Sequence, residues 1–162
     1  MKKVYIGIDN GVTGTIGIVG DEIAPMLYKI PVKKEQDYTK AKKSVTRLDS
    51  SEFENILRSV QGNVTVVMER PMVNPKRFAA TASALRCFEA ELVIIEHLKL
   101  PHVYVDSKEW QRLLLPKGVK GAAELKSCSL DIGNRLFPQF KDVKHPDRDG
   151  ILIAEYARKI SI

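Results

Sequence analysis

Two acidic residues stand where apolar runs of the sequence end. Asp9 follows the run VYIGI, and Glu69 follows the run VTVVM. An apolar strand does not tolerate an unpaired charge in its interior, so both carboxylates are expected at the carboxyl edge of a sheet. Neighbouring carboxylates repel one another unless a cation is present, and Mg²⁺ prefers oxygen ligands. The pair therefore indicates metal-assisted phosphodiester cleavage, although either acid alone is more simply a turn cap or a surface charge.

The first half of the sequence predicts the strands that carry these acids. Residues 4–8 form a strand, Asn10-Gly11 a turn, and residues 13–19 and 26–30 two further strands. The lysine-rich segment 32–47 is interpreted either as a solvated loop or as a DNA contact. Ser51 and Glu54 suggest a capping box for a helix over 51–60, and a buried strand follows over 64–69.

The second half predicts mostly helices. Residues 79–100 are rich in Ala, Leu and Ile, which indicates a helix buried on more than one side. A strand is expected at 103–106, helical segments follow from Ser107 and from Gly121, and a final helix covers 149–159. Alternating strands and helices of this kind predict an α/β fold with a mixed sheet.

Composition limits the class of protein without giving its function. The 162 residues fit a single domain, residues 1–162, with 44% hydrophobic and 28% charged residues. A formal charge of +6 makes a polyanionic partner plausible. Cys87 and Cys128 are expected to be reduced core thiols. With no leader segment and no apolar stretch of membrane-spanning length, the protein is expected in the cytoplasm, without a membrane partner.

Four segments together resemble RuvC-like Holliday-junction resolvases, particularly the short phage-type members. They are IGIDNGVTGTIGIV, VVMERPMVNPKRFAATASALRCFEAELVI, KEWQRLLLP and HPDRDGILIAEYARK. The resemblance covers most of the chain and implies an RNase H-like fold with a mixed five-stranded sheet flanked by helices. It also implies a homodimer that makes paired Mg²⁺-dependent nicks in branched DNA, with Mn²⁺ as a substitute. Asp9, Glu69 and Asp149 match the acids of the first strand, the fourth strand and the final helix.

A fourth active-site residue is expected shortly before Asp149, where this sequence departs from the family pattern. Pro146 and His145 stand three and four residues before it, and Asp147 stands two before it. His145 would share a helix face with Asp149 if the helix were continuous. Pro146 suits a first helical position, which would leave His145 at the cap and Asp147 in the first turn. Hard-ligand chemistry favours Asp147 as the metal ligand, and His145 stays open as a ligand or general acid/base.

Segment 72–78 follows Glu69 directly and is a candidate DNA contact. Its polar and aromatic side chains could grip phosphates beside the metal and press against bases, or they could form a loop with Phe78 in the core. The candidates are Asn74, Lys76, Arg77 and Phe78, followed by Lys117, Lys120 and Lys126 near a glycine-broken segment. Trp110 is expected in the core rather than as a stacking platform.

The family resemblance also gives helix 79–100 the role of building the homodimer; the alternative is that it only covers the sheet of its own subunit. Two other functions remain open. One is a catalytically weak or inactive RNase H-like module that binds junctions without cutting them, and the other is a nuclease acting on flaps or RNA hybrids.

Overall fold

This computed structural model describes residues 2–162, so Met1 of the expected domain lies outside it. Five strands come first, two further strands then alternate with helices, and three helices follow the last strand. The strands are β1 (Lys3–Ile8), β2 (Thr15–Gly20), β3 (Met26–Lys29), β4 (Val32–Gln36), β5 (Ser44–Leu48), β6 (Asn63–Glu69) and β7 (His102–Val105). The helices are α1 (Ser50–Ser59), α2 (Phe78–His97), α3 (Ser107–Leu114), α4 (Ala122–Leu136) and α5 (Asp149–Ile160). Single 3₁₀ turns cover Pro75–Arg77 and Pro138–Phe140.

Five strands form one mixed sheet in the order β3-β2-β1-β6-β7. The first three strands of the chain pair antiparallel, while β1, β6 and β7 run parallel. Even-numbered side chains of β1 pack under α1 and α2, and the opposite face packs against α3 and α5, with α4 against α5. The expected mixed five-stranded sheet flanked by helices is confirmed.

Helix α5 lies unusually close to the centre of the sheet because two strand residues lack a side chain. A methyl group on Gly7 of β1 would overlap the Gly150 carbonyl and the Ala154 amide. A methyl group on Gly17 of β2 would overlap the backbone of Ile151. Backbone therefore meets backbone here, which fixes the start of α5 against the ends of β1 and β2.

The prediction of a loop over 32–47 is wrong. Strands β4 and β5 pair antiparallel and form a separate two-stranded sheet, the β4–β5 hairpin. Charged side chains hid the strand pattern from the sequence, because Lys33 and Arg47 lie opposite each other and both pair with Glu35.

Two helix predictions also need correction. Helix α1 is capped by Asp49, whose carboxylate accepts a hydrogen bond from the Glu52 amide, so Ser51 lies inside the helix and not at its cap. Helix α2 buries a single stripe, Cys87, Glu91 and Ile95, rather than several sides, because no other element of residues 2–162 covers its outer face.

The segment before Asp149 is not helical. Helix α5 begins at Asp149 with Arg148 as its N-terminal cap residue, so His145, Pro146 and Asp147 lie in the preceding loop. The expectation that Pro146 opens the helix is therefore wrong. Hydrogen bonds from side chains to the backbone hold this loop in its own conformation, as described below.

Candidate metal centre

The two strand acids meet because their strands are parallel neighbours in register. Ile8 of β1 pairs with Met68 of β6, so Asp9 and Glu69 leave the sheet side by side at its carboxyl edge. The Asp9 amide also donates to the Thr15 carbonyl at 3.0 Å, which turns the chain back into β2. The start of α5 is fixed against the same strands, and the Gly150 amide donates to the Thr15 hydroxyl at 2.9 Å. Acids from the two ends of the sequence are thereby brought together.

Three aspartates form the centre of the site. One carboxylate oxygen from each of Asp9, Asp147 and Asp149 lies within 4.8 Å of the others. Within residues 2–162, this group of potential metal ligands includes neither Glu69 nor His145. All of its donors are carboxylate oxygens, which is the set that hard divalent cations such as Mg²⁺ prefer.

The electrostatics of the cluster also fit a cation. Burial, reinforced by the charges of Asp149, Glu69 and Asp147, raises the pKa of Asp9 well above its usual range. Burial and the charge of Asp147 raise the pKa of Asp149 to about 7, against a short hydrogen bond from the Ser129 hydroxyl that lowers it. Carboxylates that repel one another in this way are stabilised as anions by a bound divalent ion.

Glu69 is held beside the cluster by Trp110. The buried indole Nε1–H donates to Glu69 Oε2 at 2.5 Å, while burial raises the Glu69 pKa. The expectation that Trp110 is a core residue is confirmed, but its bond to Glu69 was not foreseen. The bond engages only Oε2, so the other carboxylate oxygen of Glu69, Oε1, takes no part in it.

Both ring nitrogens of His145 are occupied, and its side chain is only 7% exposed. Nε2 lies 2.8 Å from the Thr13 carbonyl, which can only accept, so Nε2 carries the proton. Nδ1 then accepts from the Asp147 amide at 3.3 Å. The imidazole thus connects the turn after Asp9 to the loop that carries Asp147.

A buried arginine determines the shape of that loop. The Arg148 guanidinium donates to four backbone carbonyls, those of Phe140, Val143, His145 and Asp147, and to the Asn134 side chain, at distances from 2.8 to 3.1 Å. Its aliphatic part lies against Gly133, where a Cβ would overlap it. The Arg148 amide donates to Ser129 Oγ at 3.0 Å, and the Ser129 hydroxyl donates to Asp149. Sequence reasoning missed these partners because the loop is irregular, and a buried side chain that bonds to backbone carbonyls leaves no periodic pattern in the sequence.

The candidate DNA contacts fall into two places. A cleft of about 250 Å³ lies directly beside the acids, and its lining includes Asn10, Glu69, Asn74 and Arg77. Asn74 also caps the 3₁₀ turn before α2 by accepting from the Lys76 amide at 3.1 Å.

Phe78 is 79% exposed, so the alternative that it lies in the core is wrong. Lys76 and Arg77 are exposed as well. Arg77 lines the cleft, and Lys76 and Phe78 flank it in the sequence, so we call these three residues the rim of the cleft.

The other lysines lie around the connection between α3 and α4. Lys117 lines a separate cavity of about 320 Å³ together with Lys108 and Arg112. The backbone amide of exposed Lys120 donates to Glu124 at 3.2 Å. The charge of exposed Lys126 weakly opposes the rise in the Asp149 pKa.

The fold defined by this sheet and its helices is of the RNase H-like class, and it is RuvC-like. The chain is similar in structure to RuvC of Thermus thermophilus in complex with a Holliday junction substrate, with a TM-score of 0.62 and 14% sequence identity. The similarity covers 98% of this chain and 94% of that RuvC chain. A second Thermus thermophilus RuvC structure gives a TM-score of 0.52 and 12% identity over 98% and 96% of the two chains. No family model and no curated protein matches the sequence. No helix within residues 2–162 is long and apolar enough to cross a membrane.

Proposed function

We propose that the protein is a metal-dependent endodeoxyribonuclease that resolves four-way and other branched DNA junctions by paired nicks. The observation that carries this proposal is the approach of Asp9, Asp147 and Asp149 within 4.8 Å, beside Glu69, at the edge of a RuvC-like sheet. Without a bound ion, repulsion among these carboxylates would keep at least one of them protonated. A purely structural role therefore does not explain why the three acids lie so close together.

In this proposal Asp9, Asp147 and Asp149 hold the metal, and Glu69 completes the site. Bound Mg²⁺, or Mn²⁺ in its place, supplies a Lewis acid for the phosphate and lowers the pKa of water. Trp110 fixes the orientation of Glu69 through the indole hydrogen bond. We assign the fourth position to Asp147 and a positioning role to His145, because both nitrogens of the imidazole are engaged by backbone groups.

The substrate grip is proposed for the rim of the cleft next to Glu69. Lys76 and Arg77 would contact phosphates, Asn74 the backbone of the cleaved strand, and the exposed Phe78 ring a base beside the cut. Lys117 and Lys120 would hold a more distant part of the backbone. The RuvC structure that holds a Holliday junction supports a branched substrate.

A homodimer through α2 would place two such sites on one junction. The outer face of this helix exposes Leu85 at 42% and Val93 at 54%, in a helix whose inner stripe already packs on the sheet. Burial of these side chains against a second copy would stabilise the pair and would aim the two metal sites at two strands.

The direct test is cleavage of labelled DNA by the unaltered protein and by the Asp9→Asn variant. Four-way junction, flap, linear duplex and RNA–DNA hybrid are each incubated with Mg²⁺, with Mn²⁺ and with chelator. Paired nicks in the junction that need metal and fall at least about 1,000-fold in Asp9→Asn are expected, since the variant removes a ligand from the metal. Asp131→Asn, at an exposed acid paired with Arg135, is the matched control and should cut normally.

Other outcomes of this cleavage assay would indicate a different function. Junction binding without any nick would mean a non-catalytic binding module, and preferred cleavage of flaps or hybrids would mean a different substrate. Asp147→Asn should lose activity far more than His145→Gln; the reverse order would give the fourth position to His145.

A further inference from the structure

The β4–β5 hairpin concentrates positive charge in a short stretch of chain. Residues 32–48 contain six basic side chains and two acids, in a protein whose total formal charge is +6. The basic residues are Lys33, Lys34, Lys40, Lys42, Lys43 and Arg47, and the acids are Glu35 and Asp37. Most of the protein's excess charge therefore lies on one small element.

The two acids do not neutralise the tip or the outer face. Glu35 pairs with Lys33 and Arg47 at 2.9 Å on the inner face, and Asp37 accepts from the Thr39 amide and hydroxyl at 3.1 and 2.6 Å. In residues 2–162, no ion pair involves the four remaining lysines, all of them exposed: Lys34, Lys40, Lys42 and Lys43. They are free to meet an anionic partner.

An aromatic side chain accompanies the lysines at the tip. Tyr38 is 95% exposed, although a tyrosine ring normally buries much of its area. An exposed ring among lysines offers a flat surface for a sugar or base next to contacted phosphates. The tip thus combines the two kinds of group that nucleic acid recognition uses most.

The hairpin is attached beside the metal centre. Its base is anchored by buried Leu48, and the Asp49 amide donates to the Pro31 carbonyl at 2.9 Å. A small cavity between hairpin and body is lined by Lys33 and Arg47, by Arg86 of α2, and by Val12 from the turn that follows Asp9. Basic surface therefore extends from the hairpin over Arg86 toward the turn of the first acid.

We propose that the β4–β5 hairpin is a DNA-binding arm that holds the sugar–phosphate backbone of a duplex leaving the metal centre, through Lys34, Lys40, Lys42 and Lys43. A two-stranded ribbon is one of the elements narrow enough to enter a major groove, which is about 12 Å wide. Contacts of this kind add affinity and orientation and carry no base specificity. The inference rests on the proposed function and adds a second contact region to it.

The test compares two triple variants of equal charge. Lys40→Ala/Lys42→Ala/Lys43→Ala removes the tip lysines. Lys3→Ala/Lys99→Ala/Lys159→Ala removes three exposed lysines outside the hairpin, at the start of β1, shortly before β7 and in the last turn of α5. Junction and linear duplex binding are measured by fluorescence anisotropy with chelator over a range of NaCl concentrations. The slope of log K against log salt should fall by about 2 to 3 for the tip variant, and its affinity at low salt by about 10-fold or more. The control should change little.

Further measurements separate the possible outcomes. The tip variant should keep its melting temperature and should still nick junctions at saturating protein, because the acids of the metal centre are intact. Tyr38→Ala should weaken DNA binding more than Tyr38→Phe does. Equal slopes for the two triples would overturn the arm while leaving a nicking enzyme in place. Binding that falls only in the tip variant, with no nicking by any form, would support the arm and refute the nuclease. Loss of binding to phosphatidylserine vesicles with unchanged DNA binding would also overturn the arm.

Discussion

Arg148 links the metal-centre loop to the body of the protein through a single side chain. Its guanidinium is fully buried, and burial lowers its pKa, but five hydrogen bonds to loop carbonyls and Asn134 compensate for the lost hydration. A planar group with five N–H donors matches this set of acceptors, whereas an ammonium group can satisfy at most three. The position of Asp147 therefore depends on an arginine that does not face the metal.

We predict that Arg148→Lys weakens Mn²⁺ binding by about 10- to 100-fold, as loss of groups that orient metal ligands commonly does. Isothermal titration measures the affinity, and hydrogen exchange should rise at the amides of Val143, Lys144, His145 and Asp147. Arg158→Lys, which alters the arginine paired with Glu155, is the control and should leave both unchanged. Faster hydrogen exchange in the loop with unaltered Mn²⁺ affinity would mean that Arg148 stabilises the loop without affecting metal binding.

Glu91 is a second buried ionisable group, on the inner stripe of α2. The Cys87 thiol donates to its Oε1 at 3.3 Å, while Oε2 has no hydrogen-bond partner within residues 2–162. Burial raises its pKa to about 8. Because the folded pKa lies above the unfolded value of about 4.3, stability falls as pH rises from that value to about 8, and is constant above it with respect to this group.

The Glu91→Gln variant should therefore become more stable than the unaltered protein as pH increases. At pH 9 the gain in unfolding free energy is expected to be about 2 kcal/mol or more, and at pH 4 it should be close to zero. Urea denaturation with chelator at several pH values measures it. The neighbouring exposed Glu89→Gln is the control; a gain independent of pH would show that folding does not shift the Glu91 pKa.

The strand-end acids were predictable from the sequence, but their partners were not. Asp9 and Glu69 end apolar runs, and strand periodicity is a local property. The choice between His145 and Asp147 depends on a contact of His145 with Thr13, 132 residues away, and on the loop conformation that Arg148 holds through neighbouring carbonyls. The hydrogen bond from Trp110 to Glu69 spans 41 residues and leaves no local pattern.

At the scale of elements, the packing of α5 on β1 and β2 controls the geometry of the site. This helix is buried over most of its length, from Gly150 to Ala157. Asp149 is the first residue of this helix, so a shift of the helix relative to the sheet moves Asp149 relative to Asp9 and Asp147. The glycines of the strands set this distance.

Gly17→Ala should therefore lower the unfolding free energy by about 3 kcal/mol or more, because the added methyl group meets backbone that cannot move aside. Thermal or urea denaturation measures the loss. Gly118→Ala is the control: it has φ +86° but no atoms within 4 Å of the added carbon, so only backbone strain of about 1 to 2 kcal/mol applies. Similar losses in the two variants would argue against close packing as the cause.

Helices and strands with regular apolar spacing were predicted well from the sequence. The prediction failed for a strand pair held by ion pairs and for a helix whose outer face no other element covers. Strands β1 and β6 and helix α5 match their predicted ranges within about two residues. The β4–β5 hairpin was missed because ion pairs replace apolar alternation on its inner face. Helix α2 was expected to be buried on more than one side, because apolar composition does not tell whether the neighbouring surface belongs to the same chain.

For the whole molecule, the uncovered face of α2 is the feature that bears on assembly. Exposed Leu85 and Val93 lie eight residues apart on this helix, and the metal centre lies near its N-terminal half, where Asn10 Nδ2 donates to the Ala84 carbonyl at 3.3 Å. In the homodimer that we propose, α2 links subunit contact to the site.

Replacing both side chains, as Leu85→Lys/Val93→Lys, should weaken self-association by about 100-fold or more, because two charges would be buried at the interface. Sedimentation equilibrium over a range of concentrations measures the dissociation constant. Leu113→Lys/Leu136→Lys, at two other exposed leucines, is the matched control. An unaltered protein that stays monomeric at high concentration, alone and with junction DNA, would refute the dimer.

Asp9 and Asp149 lie 140 positions apart in the sequence, although a carboxylate oxygen of one lies within 4.8 Å of a carboxylate oxygen of the other. A ribosome adds about 5 to 20 residues per second, so the two aspartates are synthesised roughly 7 to 28 s apart. During that interval the sheet exists without α5, and its apolar face needs protection from aggregation or from chaperone-dependent degradation. If the protein is the nuclease that we propose, the same interval keeps a nascent chain harmless to the nucleic acid around it, since the cage for the metal closes only after the last acid has left the ribosome.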